Sequence, residues 1–401
     1  MAGGQRKRGG VDKDADKPQI NKKQKSKDTT QSTAVQSKKP TKAQKESKAK
    51  VSAKETEENK ALAIPSLAAS QPARESFLVC AGTYERLLYG LEARFAGDQL
   101  AFSAQFIIPA HIGCIKAVST GGRYLASGST DESIRLYDLK KRVELGSLHE
   151  HQGTISALQF HGQSHLLSAS SDGAICIYRT KDWEPLKVLR GHNAAVTDLA
   201  IHPTGKLALS VSTDRTIIVW NLLTGQRASR STTPQPAEAV AWSPQGTLYV
   251  VGYGSEIQVY RVGQAEAVAT VFCRQRVLAI TVVSHDGNDY VVAGCQDGCL
   301  RIYAEDGREM GTVKCHTNRI KGLDSLDVVF PGDTDQEVAR CVLATISSDG
   351  RIKAWRFSDL LASAADAMDI EDGKKLDLAE PLANYNADVR LTCVAVSNNN
   401  F

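Results

Sequence analysis

A four-part polar constellation recurs down this chain at fixed spacing, and that recurrence limits what the chain can fold into more than any other feature. Residues 192–221, HNAAVTDLAIHPTGKLALSVSTDRTIIVWN, show it most clearly. An apolar run with alternating exposure (Val196, Leu199, Ile201) leads to a Pro-Thr-Gly turn, a second run, a Ser-Thr-Asp-Arg turn and a third run ending in Trp220. This pattern predicts three short strands joined by tight turns. His192, Ser210, Asp214 and Trp220 stand where one hydrogen-bond chain would tie the strands together, because a buried Asp needs donors and an indole N–H needs an acceptor. A lone three- or four-stranded sheet of this kind cannot bury its own faces, so the unit must repeat.

It does repeat. With the turn Asp as origin, a hydroxyl lies four residues before and an aromatic six after in Ser127, Asp131, Tyr137; Ser168, Asp172, Tyr178; Ser210, Asp214, Trp220; and Thr345, Asp349, Trp355. A His precedes the first apolar strand residue by four in each copy: His111 and Ile115, His151 and Ile155, His192 and Val196, His316 and Ile320. Weaker copies fill the gaps. Residues 237–260 keep the strand pattern without the His and Asp, and residues 277–303 keep Asp297 and Tyr303 with Cys273 in the His place. The closing aromatics Tyr89, Tyr137, Tyr178, Trp220, Tyr260, Tyr303 and Trp355 are then 48, 41, 42, 40, 43 and 52 residues apart. That spacing, near the roughly 40–45 residues of a WD repeat, predicts an all-β, seven-bladed WD-repeat β-propeller.

The first copy is short of a strand. Residues 77–89 read as two strands and 101–108 as a third, while LTCVAVS (391–397) aligns with VTDLAIH (196–202), the innermost strand of the template. The C-terminal strand is therefore expected to close the ring beside Phe77, which would remove an exposed sheet edge. Domain bounds follow: a tail and linker over 1–76 and a propeller over 77–401, with insertions near 327–340 and 358–386. The first insertion carries Asp333, Asp335 and Glu337; the second predicts a short helix over 358–370 with Ser358 as N-cap, Leu360, Leu361 and Met368 on one face, and an acidic group of Asp366, Asp369, Glu371 and Asp372. These excursions are open between a solvated role and a partner contact.

Charge is divided unevenly. Residues 1–60 hold 17 Lys or Arg against 8 Asp or Glu, and no aromatic precedes Phe77, whereas the remainder holds 32 against 37. The tail cannot bury enough apolar surface to offset its ordering entropy and is expected to be disordered. Its clusters Arg6, Lys7, Arg8 and Lys22, Lys23, Lys25, Lys27 are open between a merely solvated tail and nuclear-import or RNA-phosphate contacts. Charge without aromatics would bind RNA irrespective of sequence and weakly at high salt. With no apolar segment after Met1, Ala2 in second place, and no apolar run near 18 residues anywhere, a soluble intracellular protein without membrane contact is expected. Nine cysteines, an odd number mostly within strands, suit a reducing compartment.

The recurring His, Ser and Asp have the composition of a hydrolase triad. A catalytic set is needed once, however, and a structural tie is needed in each blade, so no catalytic residues are assigned. Cys295, Cys299 and His285 match no usual zinc spacing, His149 and His151 stand two apart with one already used, and no phosphate-cradling glycine loop occurs. No metal or cofactor is expected. Function should then lie on loops at one end of the ring, where Glu132, Gln152, Asn193, Arg215, Arg274, Arg276, Asn318 and Arg319 are the candidate partner-binding rim.

The chain also resembles the WD-repeat family of p21-activated-kinase-interacting proteins, whose fungal members are maintenance-of-killer ribosome-assembly factors. The resemblance lies in CAGTYE (80–85), ASGSTDESIRLYDLKK (126–141), the long run 165–227, AVAWSP (239–244) and SSDGRIK (347–353), and it covers most of residues 77–357. It implies a nucleolar, non-enzymatic scaffold for assembly of the large (60S) ribosomal subunit and pre-rRNA processing. The partners it implies are pre-60S ribosomal proteins and assembly factors, rRNA through the basic tail, and p21-activated kinase in a second, restraining role. A single copy within a larger complex is expected. The basic run is N-terminal here, whereas the animal relatives are associated with a basic C-terminal extension, so the resemblance does not supply the tail's role.

Overall fold

The computed structural model describes residues 76–96, 99–264, 266–330, 340–368 and 378–398. The chain divides into two units, Met1–Ser52 and Ala53–Phe401, and every described residue lies in the second. The basic clusters of the tail and the acidic residues Asp333, Asp335, Glu337, Asp369, Glu371 and Asp372 lie outside the described residues.

The described residues form seven four-stranded antiparallel sheets. Blades 2 to 7 each run in chain order from an innermost to an outermost strand, and the innermost strands are Ile115–Gly121, Ile155–His161, Val196–Ile201, Ala239–Trp242, Val277–His285 and Ile320–Val328. Blade 1 takes its innermost strand from the other end of the chain: Leu391–Asn398 pairs with Ser76–Thr83, which continues into Leu87–Ala96 and Gln99–Pro109. The register sets Val79 opposite Val396 and Cys80 opposite Ala395. Closure by the C-terminal strand is as the apolar alternation of 391–397 predicted. The seven innermost strands touch one another in cyclic order, so the inner edge of the first blade is not left to pair with another chain.

Side chains from one innermost strand reach the backbone of the next. Ser119 Oγ accepts from Phe160 N at 3.1 Å, Gln159 Oε1 from Ile201 N at 2.6 Å, Asp198 Oδ2 from Val240 N at 2.9 Å and Asp324 Oδ2 from Val396 N at 2.7 Å. Burial pushes the Asp198 and Asp324 carboxyls up to about 6 despite these bonds. Between blades the core is apolar; Trp220, Leu222, Ile177 and Leu189 share one cluster spanning blades 3 and 4.

The last blade corrects two expectations. The helix α1 spans Phe357–Met368, so Ser358 sits inside its first turn and bonds Asp359 Oδ1 at 3.1 Å instead of capping. Buried Phe357, Leu360 and Ala364, with half-buried Leu361, pack α1 on blade 6, where Gly311 leaves room for the backbone of Ala364. The helix thus covers the outermost strand Glu309–Lys314. The span 358–386 is also not all insertion, because Ala383–Asn386 is the outermost strand of blade 7. At the other insertion, Val328 pairs with Arg340, so the excursion starts and ends on adjacent strands. Among the described residues no helix is long and apolar enough to cross a membrane.

Candidate functional site: the channel-mouth face

The loops before the innermost strands and the turns bearing the aspartates emerge at one end of the ring, and the recurring polar residues hold them together. In blade 2, His111 Nδ1 lies 3.0 Å from Asp131 Oδ2 and Nε2 lies 2.8 Å from Ser127 Oγ. In blade 3 the same contacts measure 3.0 Å to Asp172 and 2.6 Å to Ser168. In blade 4 His192 is 3.4 Å from Asp214 and 2.7 Å from Ser210, and in blade 7 His316 is 3.4 Å from Asp349 and 2.8 Å from Thr345. In blades 2 to 4 an ionised Asp fixes the tautomer: Nδ1–H points to the carboxylate, leaving Nε2 to accept from the hydroxyl, whereas in blade 7 His316 Nδ1 faces Asp349 without hydrogen-bond geometry. Trp220 Nε1 then donates to Ser210 Oγ at 2.8 Å, and Trp355 Nε1 to Thr345 Oγ1 at 2.9 Å.

Burial alone would raise the pKa of Asp131, Asp172, Asp214 and Asp349. It is outweighed by hydrogen bonds and by the facing histidine, and all four carboxyls sit below the ordinary carboxylate range. For His111, His192 and His316 burial wins over the aspartate, lowering the imidazole pKa and keeping the ring neutral near pH 7. The aspartates are saturated from the backbone too. Each accepts through Oδ2 from the residue after the His, from Ile112, Gln152, Asn193 and Thr317 at 3.0, 3.0, 2.9 and 3.2 Å, and through Oδ1 from the residue two further on.

Two parts of the predicted tie differ. Tyr137 and Tyr178 occupy the Trp position, but their buried hydroxyls make no bond of normal geometry, since a phenol O–H projects from the ring differently from an indole N–H. These two residues act through packing. In blade 6, Cys273 lies 3.3 Å from the Tyr303 hydroxyl, while Asp297 takes Arg301 at 2.7 Å in place of a histidine. A second recurring serine was not anticipated: Ser129, Ser170, Ser212 and Ser347, two before each Asp, accept that residue's N–H at 3.1–3.3 Å. Its constant offset in the sequence is a readable signal.

These groups are placed as fasteners. Ser127, Ser168, Ser210 and Thr345 are 0% exposed, so no substrate carbonyl can reach their oxygens. All nine cysteines are free thiols, and burial pushes Cys176 and Cys299 up to about 11. Among the described residues no three His, Cys, Asp or Glu are gathered as metal ligands would be.

The proposed rim residues divide by position. Gln152 and Asn193 give backbone N–H groups to the ties and leave their side chains exposed. Glu132 and Arg215, exposed beside the turn aspartates, adopt φ of 66° and 60°, where blades 3, 6 and 7 have Gly173, Gly298 and Gly350. Arg276 pairs with Glu238 at 2.5 Å, and Arg274 is exposed nearby. Asn318 and Arg319 line one polar hollow of about 420 Å³ with Gln296, Ser348 and Arg390, three residues the sequence pattern did not single out. The rim residues are thus strung around the mouth and are not gathered at one point.

The model of the "WD domain, G-beta repeat" family matches residues 102–138, 142–179 and 183–221. A "p21-activated protein kinase-interacting protein 1-like" of Danio rerio is 37% identical over 79% of this chain and 79% of its own length. The chain belongs to the family of p21-activated-kinase-interacting WD-repeat proteins. The human "p21-activated protein kinase-interacting protein 1" is 40% identical over 79% of this chain and 76% of its own length. "Protein MAK11" of Saccharomyces cerevisiae is 32% identical over 71% and 79%. Membership in this WD-repeat family makes the ring an interaction scaffold.

Proposed function

We propose that this protein is a non-enzymatic scaffold in assembly of the large ribosomal subunit and pre-rRNA processing, acting in the nucleus and nucleolus. The observation that carries the reading is the use of the recurring His, hydroxyl and Asp groups as buried ties, which leaves a ring whose exposed residues at the channel mouth differ from blade to blade. Similarity to the yeast protein MAK11 over 71% of the chain supports it, as does the excess of 17 cationic over 8 anionic residues in 1–60, suited to rRNA phosphates and nuclear import. Pre-60S ribosomal proteins and assembly factors are the partners in this reading.

The test is sedimentation of tagged full-length protein through a gradient, with and without RNase, together with pre-rRNA analysis after depletion. Co-sedimentation with large-subunit precursors and accumulation of pre-rRNA are expected; absence from those particles ends the reading. A second reading, an adaptor that restrains a p21-activated kinase, is favoured by the names of the Danio rerio and human relatives. It predicts RNase-insensitive capture of a kinase regulatory segment by the full chain, and no capture contradicts it.

A further inference from the structure

The channel mouth is cationic on one side. Arg276, Arg319 and Arg390 each immediately precede the innermost strand of blades 6, 7 and 1. Lys321 and Lys116 are the second residues of the innermost strands of blades 7 and 2, at β-bulges between Ile320 and Gly322 and between Ile115 and Ala117. A bulge takes its residue out of the ladder and re-aims the side chain. Five cations therefore stand in equivalent registers over four adjacent blades. The same registers in blades 3 and 4 hold Thr154, Ser156, Ala195 and Thr197, and in blade 5 Glu238 immediately precedes the strand. Glu238 is used by Arg276. Among the described residues Lys116, Arg319, Lys321 and Arg390 have no carboxylate in ion-pair contact.

Lys321 reports the crowding. Burial, then Arg319, Arg390, Lys116 and Arg276, lower its pKa. This concentration of like charge costs stability in a body with 32 cationic against 37 anionic residues outside the tail, which marks it as a surface waiting for an anion. The hollow of about 420 Å³ between Gln296, Asn318, Arg319, Ser348 and Arg390 adds neutral donors to the charges. Two exposed apolar groups lie on the same face: Tyr84, 56% exposed with the Arg390 guanidinium 5.4 Å from its ring centre, and Ile112, 79% exposed.

We propose that this mouth binds an acidic protein segment, a short run of Asp, Glu or phosphorylated Ser whose anionic groups seat among Lys116, Arg319, Lys321 and Arg390. The proposal rests on the reading of the ring as a protein scaffold and names the chemistry of one partner. The cations form a cup at a channel entrance and not a track. The hollow beside Arg319 and Arg390 has room for a few acidic side chains, whereas a nucleic-acid backbone with evenly spaced phosphates needs an extended path. Tyr84 and Ile112 offer apolar contact for residues flanking the acidic run.

The experiment measures fluorescence anisotropy of a labelled oligoglutamate peptide, a phosphoserine analogue and a neutral Gly-Ser peptide of equal length against the full chain. Wild type is expected to bind one or both acidic peptides and not the neutral one. Lys321→Gln with Arg390→Gln weakens that binding on the order of tenfold or more, and so does Lys116→Gln with Arg319→Gln. Lys206→Gln with Arg227→Gln, removing equal charge from blade 4, leaves it unchanged. Equal peptide affinity in wild type and both mouth variants overturns the proposal, as does no acidic-peptide binding by wild type. A mouth-dependent loss confined to a short oligouridine overturns it in favour of RNA. Absence from pre-ribosomal particles would remove the assembly reading without altering the peptide titration.

Discussion

Replacing Ser210 with Ala removes one oxygen that serves two buried partners. Its hydroxyl faces His192 Nε2 at 2.7 Å and accepts from Trp220 Nε1 at 2.8 Å, and Ser210 is 0% exposed. Neither partner can turn to water, so each orphaned group costs about 1–3 kcal/mol, or roughly 2–6 kcal/mol together. Thr345→Val in blade 7 severs the corresponding pair, to His316 and Trp355. Ser127→Ala and Ser168→Ala orphan chiefly the histidine, because the Tyr137 and Tyr178 hydroxyls make no hydrogen bond of normal geometry to these serines, and should cost roughly 1–3 kcal/mol. Urea unfolding at constant slope reads the ranking as shifts in midpoint. The expected order places Ser210→Ala and Thr345→Val below the other two. Equal losses in all four, or a larger loss at Ser127 or Ser168, would refute the distinction between tryptophan and tyrosine blades.

Other outcomes follow from the same geometry. Deleting residues 388–401 removes the strand paired to Ser76–Thr83 and should lower the melting temperature and promote aggregation; unchanged melting contradicts closure by that strand. The His192 pKa is lowered in the folded state. Its contribution to stability is therefore full above the unfolded value of about 6.5 and is lost as pH falls below it. The melting-temperature gap between wild type and His192→Gln should shrink on acidification through that range, and a widening gap opposes the assignment. Gly298→Ala places a Cβ against the backbone oxygens of His316 and Asn318 at φ 78°, whereas at Gly254, φ 63°, the space is open. The first should cost roughly 2 kcal/mol or more and the second about 1–2 kcal/mol, a difference that thermal melting resolves.

What could be read from the chain depended on the distance over which the cause acts. The ties were legible because His, hydroxyl, Asp and aromatic lie within one repeat, and hydrogen-bond geometry fixes their offsets. The closing strand was legible because Leu391 to Ser397 repeats the template's apolar pattern. Ser358 was misplaced as a cap because Phe357, which the isolated pattern leaves out, is drawn into the helix by burial between α1 and blade 6. The silent hydroxyls of Tyr137 and Tyr178 depend on where a ring atom points, which spacing does not encode. The cationic arc joins residues 116, 276, 319, 321 and 390, and only ring closure sets blade 7 beside blade 1 and brings the C-terminal strand that follows Arg390 against blade 2. Without that closure Arg390 and Lys116 are remote in sequence and carry no shared signal.

If the recurring residues fasten the ring while the mouth does the binding, a weakened tie should leave binding intact as long as the ring stays folded. The most direct measurement is gradient sedimentation of a tagged Ser127→Ala variant shown by its melting curve to be folded at the assay temperature. This variant should enter large-subunit precursors as wild type does. A folded Ser127→Ala protein that no longer enters them, with its mouth residues intact, would contradict that division of labour.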